Sequence, residues 1–343
     1  MTLSVPATAR EWHLTSRPGA RFTPSDLTLV ETDVPRPGPG EVVVANTHLS
    51  VDPYMRGRMD DRQSYIPPFP LGAALEGSAV GVVVESRSDD LQPGDVVEHF
   101  LGLREVTVAP ASSVFRLELQ DLPAEAYLGV LGTPGLTAWL GVVEVAAVGP
   151  GDVVLVTGAA GAVGSLAGQV ARLRGAARVI GSAGSPAKVA HLREQLGYDD
   201  AFDHHDGSAH DLVAKAAPEG LDVVVDNVGG AQLEAAIGAM NTGGRLALIG
   251  MASEYDGASP YPFRNLYDLV TRRLTARGFL VGDHLHRMPE FRAEVGAWVR
   301  EGRIAHRETV VDGIEQVPAV LQRVLTSGAP SMGKAVVRVG EAA

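Results

Sequence analysis

"VVLVTGAAGAVGSLAGQVARL", Val153 to Leu173, is the stretch on which the fold of this chain turns. Its first five residues, Val153 to Thr157, read as a buried strand. Small residues follow to Gly164, and then an apolar-striped segment of helical length. A strand that runs through a small-residue turn into a helix is the setting in which backbone N–H groups and a positive dipole end receive a pyrophosphate. Gly161 allows close approach of the backbone to phosphates, and Gly164 allows the helix to pack on the strand. Ala159 stands where such turns usually carry their first glycine. Ala160, Gly161, Ala162, Val163 and Gly164 are therefore expected to line a nucleotide.

Downstream, "RVIGSAGSPAKV" (Arg178 to Val189) reads as the next strand, a loop and the first turn of a helix, with Ser185 and Pro186 at N-cap and first position. Folds that bind NAD commonly end this strand in an acid that holds the ribose hydroxyls. Here the strand ends in Gly181, Ser182, Ala183, Gly184 and Ser185, and Lys188 follows. An acid would repel the extra phosphate of NADP, whereas Ser182, Ser185 and Lys188 offer donors and a positive charge. The expected cofactor is NADP(H).

Further strands, "DDAFDH", "LDVVVDNVGG", "GGRLALIGMAS" and "LTARGFLV", alternate with helical segments. That alternation implies βαβ units and a parallel sheet. Before residue 125 the texture differs, with short β-type runs broken by Pro and Gly, as in a small barrel or sandwich. The tail, one helix and one strand, is expected to return to that β-rich part. The fold class is thus α/β. A β-rich domain spans 1–125, completed by 306–343, and a doubly wound parallel-sheet domain spans 126–305.

The 343 residues carry a formal net charge of −12, which argues against nucleic-acid or anionic-membrane partners. No apolar run reaches the length of a membrane span, and "MTLSVPATAR" lacks a secretory pattern, so a cytoplasmic location is expected. The absence of cysteine removes disulfides, thiolate nucleophiles and sulfur-ligated zinc. "DHLH" (His284, His286) would place two imidazoles on one strand face, and "DHHD" (Asp203 to Asp206) reads as a solvated loop. Neither is assigned a metal.

Several segments occur in one order: "LSVDPYMRGRM", "GTPGLTAWLG", "TGAAGAVGS", "GSAGSPAKVAHL", "DVVVDNVGG" and "GRLALIGMASEY". In them the chain resembles the zinc-free medium-chain dehydrogenase/reductase superfamily, specifically its leukotriene B4 12-hydroxydehydrogenase/prostaglandin reductase and alkenal double-bond reductase group. The resemblance covers nearly the whole length. It implies a GroES-like β domain, a Rossmann domain, an NADPH site in a cleft between them, and reduction of the C=C bond of enones and enals. Lys188 matches the lysine that reads the 2′-phosphate, Thr137 the segment approaching the nicotinamide, and Asn227 a position beside the cofactor. Gly184, Gly250, Met251, Phe279 and Val281 are likewise implied at the cofactor. Tyr255 matches a tyrosine near the substrate carbonyl and nicotinamide ribose, and Tyr54 a tyrosine of the cleft.

Three departures stand out. His204 replaces a tyrosine that packs near the adenosine, Ser331 replaces an asparagine beside the cofactor, and "HFLGLREV" lacks a Gly-Trp. The zinc branch carries a ligand His where this chain has Leu75, with only Glu76 kept; without cysteine as well, metal-assisted alcohol oxidation is excluded.

Hydride delivered to the β-carbon leaves negative charge on the carbonyl oxygen, so a donor there stabilises the transition state. Tyr255 either supplies it or lines the pocket. Tyr54 either takes part or anchors the turn after Pro53, while Asp52 and Arg56 hold that loop. Alternative readings are a quinone reductase, an enoyl-thioester reductase using Arg264, Arg272, Arg273 and Arg277, and an NADPH-binding sensor or structural protein without turnover. Leu274 to Val281 reads as an apolar edge strand, and hence as the seam of a homodimer.

Overall fold

In the computed structural model, which describes residues 5–255, 257, 259–326 and 332–340, the chain forms two units. The first contains β1 (Thr8–Leu14), β2 (Leu27–Asp33), β3 (Glu41–Ser50), α1 (Tyr54–Arg58), β4 (Ala79–Ser86), β5 (Val96–His99), β6 (Val106–Pro110) and β7 (Phe115–Arg116). The second contains α2 (Thr133–Leu140), β8 (Val153–Val156), α3 (Gly164–Leu173), β9 (Arg178–Ala183), α4 (Pro186–Glu194), β10 (Asp200–Asp203), α5 (Ala209–Ala216), β11 (Leu221–Asp226), α6 (Gly230–Ala239), β12 (Met240–Leu248), α7 (Asp268–Thr271), β13 (Thr275–Gly278) and α8 (Met288–Arg300). The tail supplies β14 (Glu308–Asp312), α9 (Val317–Leu325) and β15 (Lys334–Arg338).

The first unit is the GroES-like β-rich part. β3 is its centre, pairing antiparallel with β4, β6 and β15, which is why "EVVVANTHLS" is buried almost throughout. The tail completes this core. Ile314, Val317, Val320 and Leu321 join Trp12, Leu14, Met55 and Phe69, and the Trp12 indole N–H donates to the Ile314 carbonyl at 2.8 Å.

The tail does not return whole, however. Among the described residues of the tail, 308–326 and 335–340 group with the first unit, and 332–334 with the second. The reason is local: Gly333 donates its N–H to the Ala160 carbonyl at 2.9 Å, and Lys334 donates to Arg307 at 3.1 Å. Gly333 has φ +64°, and a Cβ there would lie 1.8 Å from the Arg307 carbonyl, so no other residue fits.

His99 ends β5 in the first core. Its Nε2 meets the Asn46 Oδ1 at 2.8 Å, and its Nδ1 accepts from the Leu101 N–H at 3.0 Å. The neutral ring is satisfied at both nitrogens, whereas a second ring proton would confront that N–H. Burial pushes the imidazole down to about 3, with Arg104 adding to the effect. Between this value and the ordinary one near 6.5, only the unfolded chain binds the proton, so stability falls as pH drops through the window. His99 alone should cost about 2 kcal/mol between pH 7 and pH 5. Urea midpoints at the two pH values, compared with His99→Asn, test this; equal slopes in both proteins would clear His99 of the effect.

The second unit is a Rossmann domain. Its six strands are all parallel, in the order β10-β9-β8-β11-β12-β13. Strand order therefore reverses between β8 and β11, and ligands of open α/β sheets bind outside the carboxyl ends of the strands at such a switch point.

Leu274 to Val281 does not form one long apolar strand. β13 spans four residues, all exposed, and Val281–Arg287 is a 3-10 helix. The partner sets the length: Leu248, the last residue of β12, pairs with Gly278, so nothing remains for Phe279 to bond. His284 and His286 consequently sit on that helix, their rings 6.2 Å apart, and not on a strand face.

Candidate active site

The expected strand, small-residue turn and helix follow one another at Val153 to Leu173. Gly158 leaves β8 at φ +60°, and α3 opens at Gly164 with no side chain capping it. A Cβ on Gly164 would sit 2.5 Å from the Gly158 carbonyl and 2.6 Å from the Ala159 Cα, so glycine is required where this helix crosses the strand end. Gly161 is exposed, Ala162 and Val163 are half-buried, and Ala160 is buried with its carbonyl taken by Gly333. The open part of the cradle is therefore Gly161 to Val163.

At the end of β9, Ser182 departs from expectation. Its hydroxyl is buried, donates to Gln232 Oε1 at 2.6 Å and accepts from the Gly158 N–H at 3.3 Å. It fastens the turn to α6 and is not presented to a phosphate. Ser185 follows the half-buried Gly184 and caps α4, accepting the Lys188 N–H at 3.4 Å, and its own proton meets no acceptor among the described residues. The half-buried Lys188 ammonium makes no hydrogen bond or ion pair among the described residues. Burial pulls it below the usual lysine range, and Asp203 partly opposes that. An unpaired, half-buried cation at this strand end suits the 2′-phosphate of NADP.

His204 Nδ1 donates to the Ala183 carbonyl at 2.7 Å, and its ring lies 4.0 Å from that of His205. Burial lowers the His204 pKa, so the ring is neutral at neutral pH. "DHHD" is not wholly a solvated loop, since Asp203 is buried at the end of β10. Among the described residues, Asp203, His204 and His205 form the one trio whose possible ligand atoms lie within 4.8 Å of one another.

A second cluster forms at the ends of β11 and β12. Asn227 donates through Nδ2 to the Thr157 carbonyl at 2.8 Å and accepts at its own carbonyl from the Ala252 N–H at 3.2 Å. Tyr255 turns its hydroxyl back to accept the Met251 N–H at 3.2 Å, and a Cβ on Gly250 would lie 2.7 Å from that oxygen. The phenolic proton stays free to donate. Burial raises the Tyr255 pKa, which keeps that proton in place at neutral pH.

Thr137 differs, because its hydroxyl donates to the Thr133 carbonyl at 2.8 Å within α2. At Gly141, just beyond that helix, a Cβ would meet Ile249 Cδ1 at 3.0 Å and Phe279 Cζ at 3.7 Å. Phe279 also meets His284 edge-on, at 6.2 Å, and Val281 opens the 3-10 helix. Ser331 lies outside the described residues.

In the first unit, Tyr54 opens α1 and stacks on Phe100 at 6.4 Å. Its hydroxyl is buried and without a hydrogen-bond partner among the described residues, the kind of orphan that a bound group would satisfy. Arg56 bonds Asp60 at 2.6 Å and so holds the loop as expected; Arg58, which the sequence reading did not single out, bonds Glu76 at 2.7 Å while lying over the Phe69 ring.

Sequence reasoning passed over Thr157 and Asp226. Both are polar residues closing apolar strands, and that pattern was the available signal.

Two family profiles match the chain: "N-terminal domain of oxidoreductase" over residues 10–117 and "Zinc-binding dehydrogenase" over residues 162–297. The NADPH-dependent curcumin reductase of Escherichia coli (strain K12) is 37% identical over 336 residues, 96% of each chain. The chain belongs to the zinc-free medium-chain dehydrogenases/reductases, in their alkenal reductase group. The 2-alkenal reductase (NADP(+)-dependent) of Nicotiana tabacum is 38% identical over 307 residues, 88% of each chain. The crystal structure of CurA in complex with NADPH from Vibrio vulnificus superposes with a TM-score of 0.92 at 33% identity, covering 97% of this chain and 100% of that one. The zinc of the second profile's name finds no sulfur ligand in this family member, which has no cysteine, and Leu75 is buried in the first core.

Proposed function

We propose that this chain reduces the C=C bond of α,β-unsaturated carbonyl compounds with NADPH and without a metal. The observation that carries the reading is Lys188, a half-buried cation with no hydrogen bond or ion pair among the described residues, after a strand end that holds no acid. The relatives named above support the reaction class.

Bound NADPH supplies the hydride that reaches the substrate β-carbon. Gly161 to Val163 and the uncapped start of α3 hold the pyrophosphate, and Lys188 with Ser185 reads the 2′-phosphate. Neutral His204 packs beside the adenosine, while Asn227, Gly250, Met251, Thr137, Phe279 and Val281 surround the nicotinamide end. Tyr255 would donate a hydrogen bond from its phenolic O–H to the carbonyl oxygen as charge develops there, and the α-carbon would take its proton from solvent or a tyrosine. Tyr54, with a hydroxyl left unsatisfied by its own unit, is the second candidate donor.

The test is NADPH oxidation by the purified chain across enals, enones, quinones and enoyl-CoA esters, with excess chelator present. Turnover of enals and enones is expected. Turnover of quinones or enoyl thioesters alone would move the assignment to those branches, and NADPH binding without turnover would make the chain a sensor or structural protein.

We also propose a homodimer and a cytoplasmic location. The dimer rests on the free, exposed edge of β13 and on Leu280 and Leu285 beyond it, 40% and 52% exposed. Light scattering at micromolar concentration should give the mass of two chains; the mass of one chain defeats this. Among the described residues no helix is long and apolar enough to cross a membrane.

A further inference from the structure

Asp226 and Thr157 lie astride the switch point, at the carboxyl ends of β11 and β8, and both are fully buried. Thr157 Oγ1 donates to Asp226 Oδ1 at 2.6 Å, and the Gly229 N–H donates to Oδ2 at 2.9 Å. The same Thr157 oxygen accepts the Asn227 N–H at 2.9 Å. The Asp226 carbonyl accepts from the N–H groups of Ile249 at 2.8 Å and Gly250 at 3.3 Å. One residue thus ties together the segments leaving β8, β11 and β12. Gly158, ahead of the open part of the cradle, packs beside the residues that follow Asp226: a Cβ on it would lie 3.3 Å from Val228 and 3.6 Å from Asn227.

No cation pairs with this carboxylate among the described residues. A buried carboxylate is costly, and an apolar side chain would hold two strands together at less expense. What only a carboxylate does here is accept at both oxygens from donors on different segments, Thr157 and, at 3.4 Å, the Val228 N–H at Oδ1 and the Gly229 N–H at Oδ2. An amide has one acceptor: turned to Gly229, it would face the Val228 N–H with an N–H and leave the Thr157 hydroxyl, which could then only accept, without its acceptor; turned to Thr157, it would face the Gly229 N–H with an N–H.

We propose that Asp226, acting through Thr157, is the positioning residue that sets where Asn227 and the Gly250–Met251 turn meet the nicotinamide end of the cofactor. This rests on the NADPH reading above. Asp226 does not touch the reacting atoms; it fixes the groups that do. Its loss should therefore affect hydride transfer more than binding, because the phosphate contacts lie elsewhere and misplacement of reacting atoms by about 1 Å can cost roughly a hundredfold in rate.

The experiment compares the full chain with Asp226→Asn, Thr157→Val and Thr157→Ser. NADPH is titrated by its fluorescence, which reports affinity, the fraction of competent sites and the emission of the bound nicotinamide. Single-turnover reduction of an enone at saturating NADPH reports the rate. Asp226→Asn and Thr157→Val should slow the single turnover by about tenfold or more, shift the bound emission, and change NADPH affinity by less than about threefold. Thr157→Ser keeps the hydroxyl and should stay within about twofold of wild type throughout. Should Asp226→Asn fail to fold, the Val and Ser variants decide. Unchanged turnover rates in Thr157→Val overturn the proposal. So does a loss of activity matched by loss of competent sites with the per-site rate intact, since that marks a merely structural role. Wild-type protein that does not bind NADPH overturns the cofactor reading itself.

Discussion

Tyr255→Phe should slow hydride transfer by about tenfold to a hundredfold at saturating NADPH. The substitution keeps the ring and removes one hydroxyl, so it separates chemistry from packing. A donor to a developing oxyanion can contribute about 2.7–4 kcal/mol, and a cofactor ribose hydroxyl shares the role here, which sets the smaller expectation. Because the Tyr255 oxygen accepts from the Met251 N–H, its own proton is committed to no protein acceptor among the described residues. An interaction made mainly in the transition state lowers kcat more than it raises KM. Single-turnover rates of wild type and variant that agree within about twofold would make Tyr255 a wall of the pocket, and Tyr54 would be tested next.

Lys188→Ala should raise the Kd and KM for NADPH by roughly tenfold or more and leave those for NADH nearly unchanged. A hydrogen bond to a charged group contributes about 1.5–3 kcal/mol, and about 1.4 kcal/mol corresponds to a factor of ten. The structure concentrates the expectation on this residue. Ser182 is engaged with Gln232 and His204 is neutral, so neither brings a charge to the phosphate. The folded protein holds Lys188 partly desolvated, and a bound dianion would compensate that burial. Fluorescence titrations with both cofactors check this; equal losses with NADPH and NADH would show that Lys188 does not read the phosphate.

The Rossmann unit was legible because its signals are local. An apolar run, a small-residue turn and a striped helix follow one another within Val153 to Leu173, and Ser185 with Pro186 marks the start of α4 as expected. The acid-free end of β9, and with it the choice of NADP, lies within a few consecutive residues as well. The lack of cysteine closes off sulfur-ligated zinc by composition alone. These features depend on which residues are present and which are neighbours along the chain, and the amino-acid order determines that directly.

What only the tertiary structure decided depends on partners far away in the chain. Ser182 reads as free to face a ligand, but its acceptor, Gln232, lies 50 residues further on. β13 reads as twice its length, yet a strand extends only as far as its neighbour, and β12 stops at Leu248. Gly333 joins the second unit because one N–H finds the Ala160 carbonyl. Thr157 and Asp226, 69 residues apart, meet because the sheet places β8 beside β11. The sequence alone determined the elements and the chemical types available at their ends. Which of those polar groups face one another, and which are left for a ligand, was settled by hydrogen-bond partners that only the folded sheet brings together.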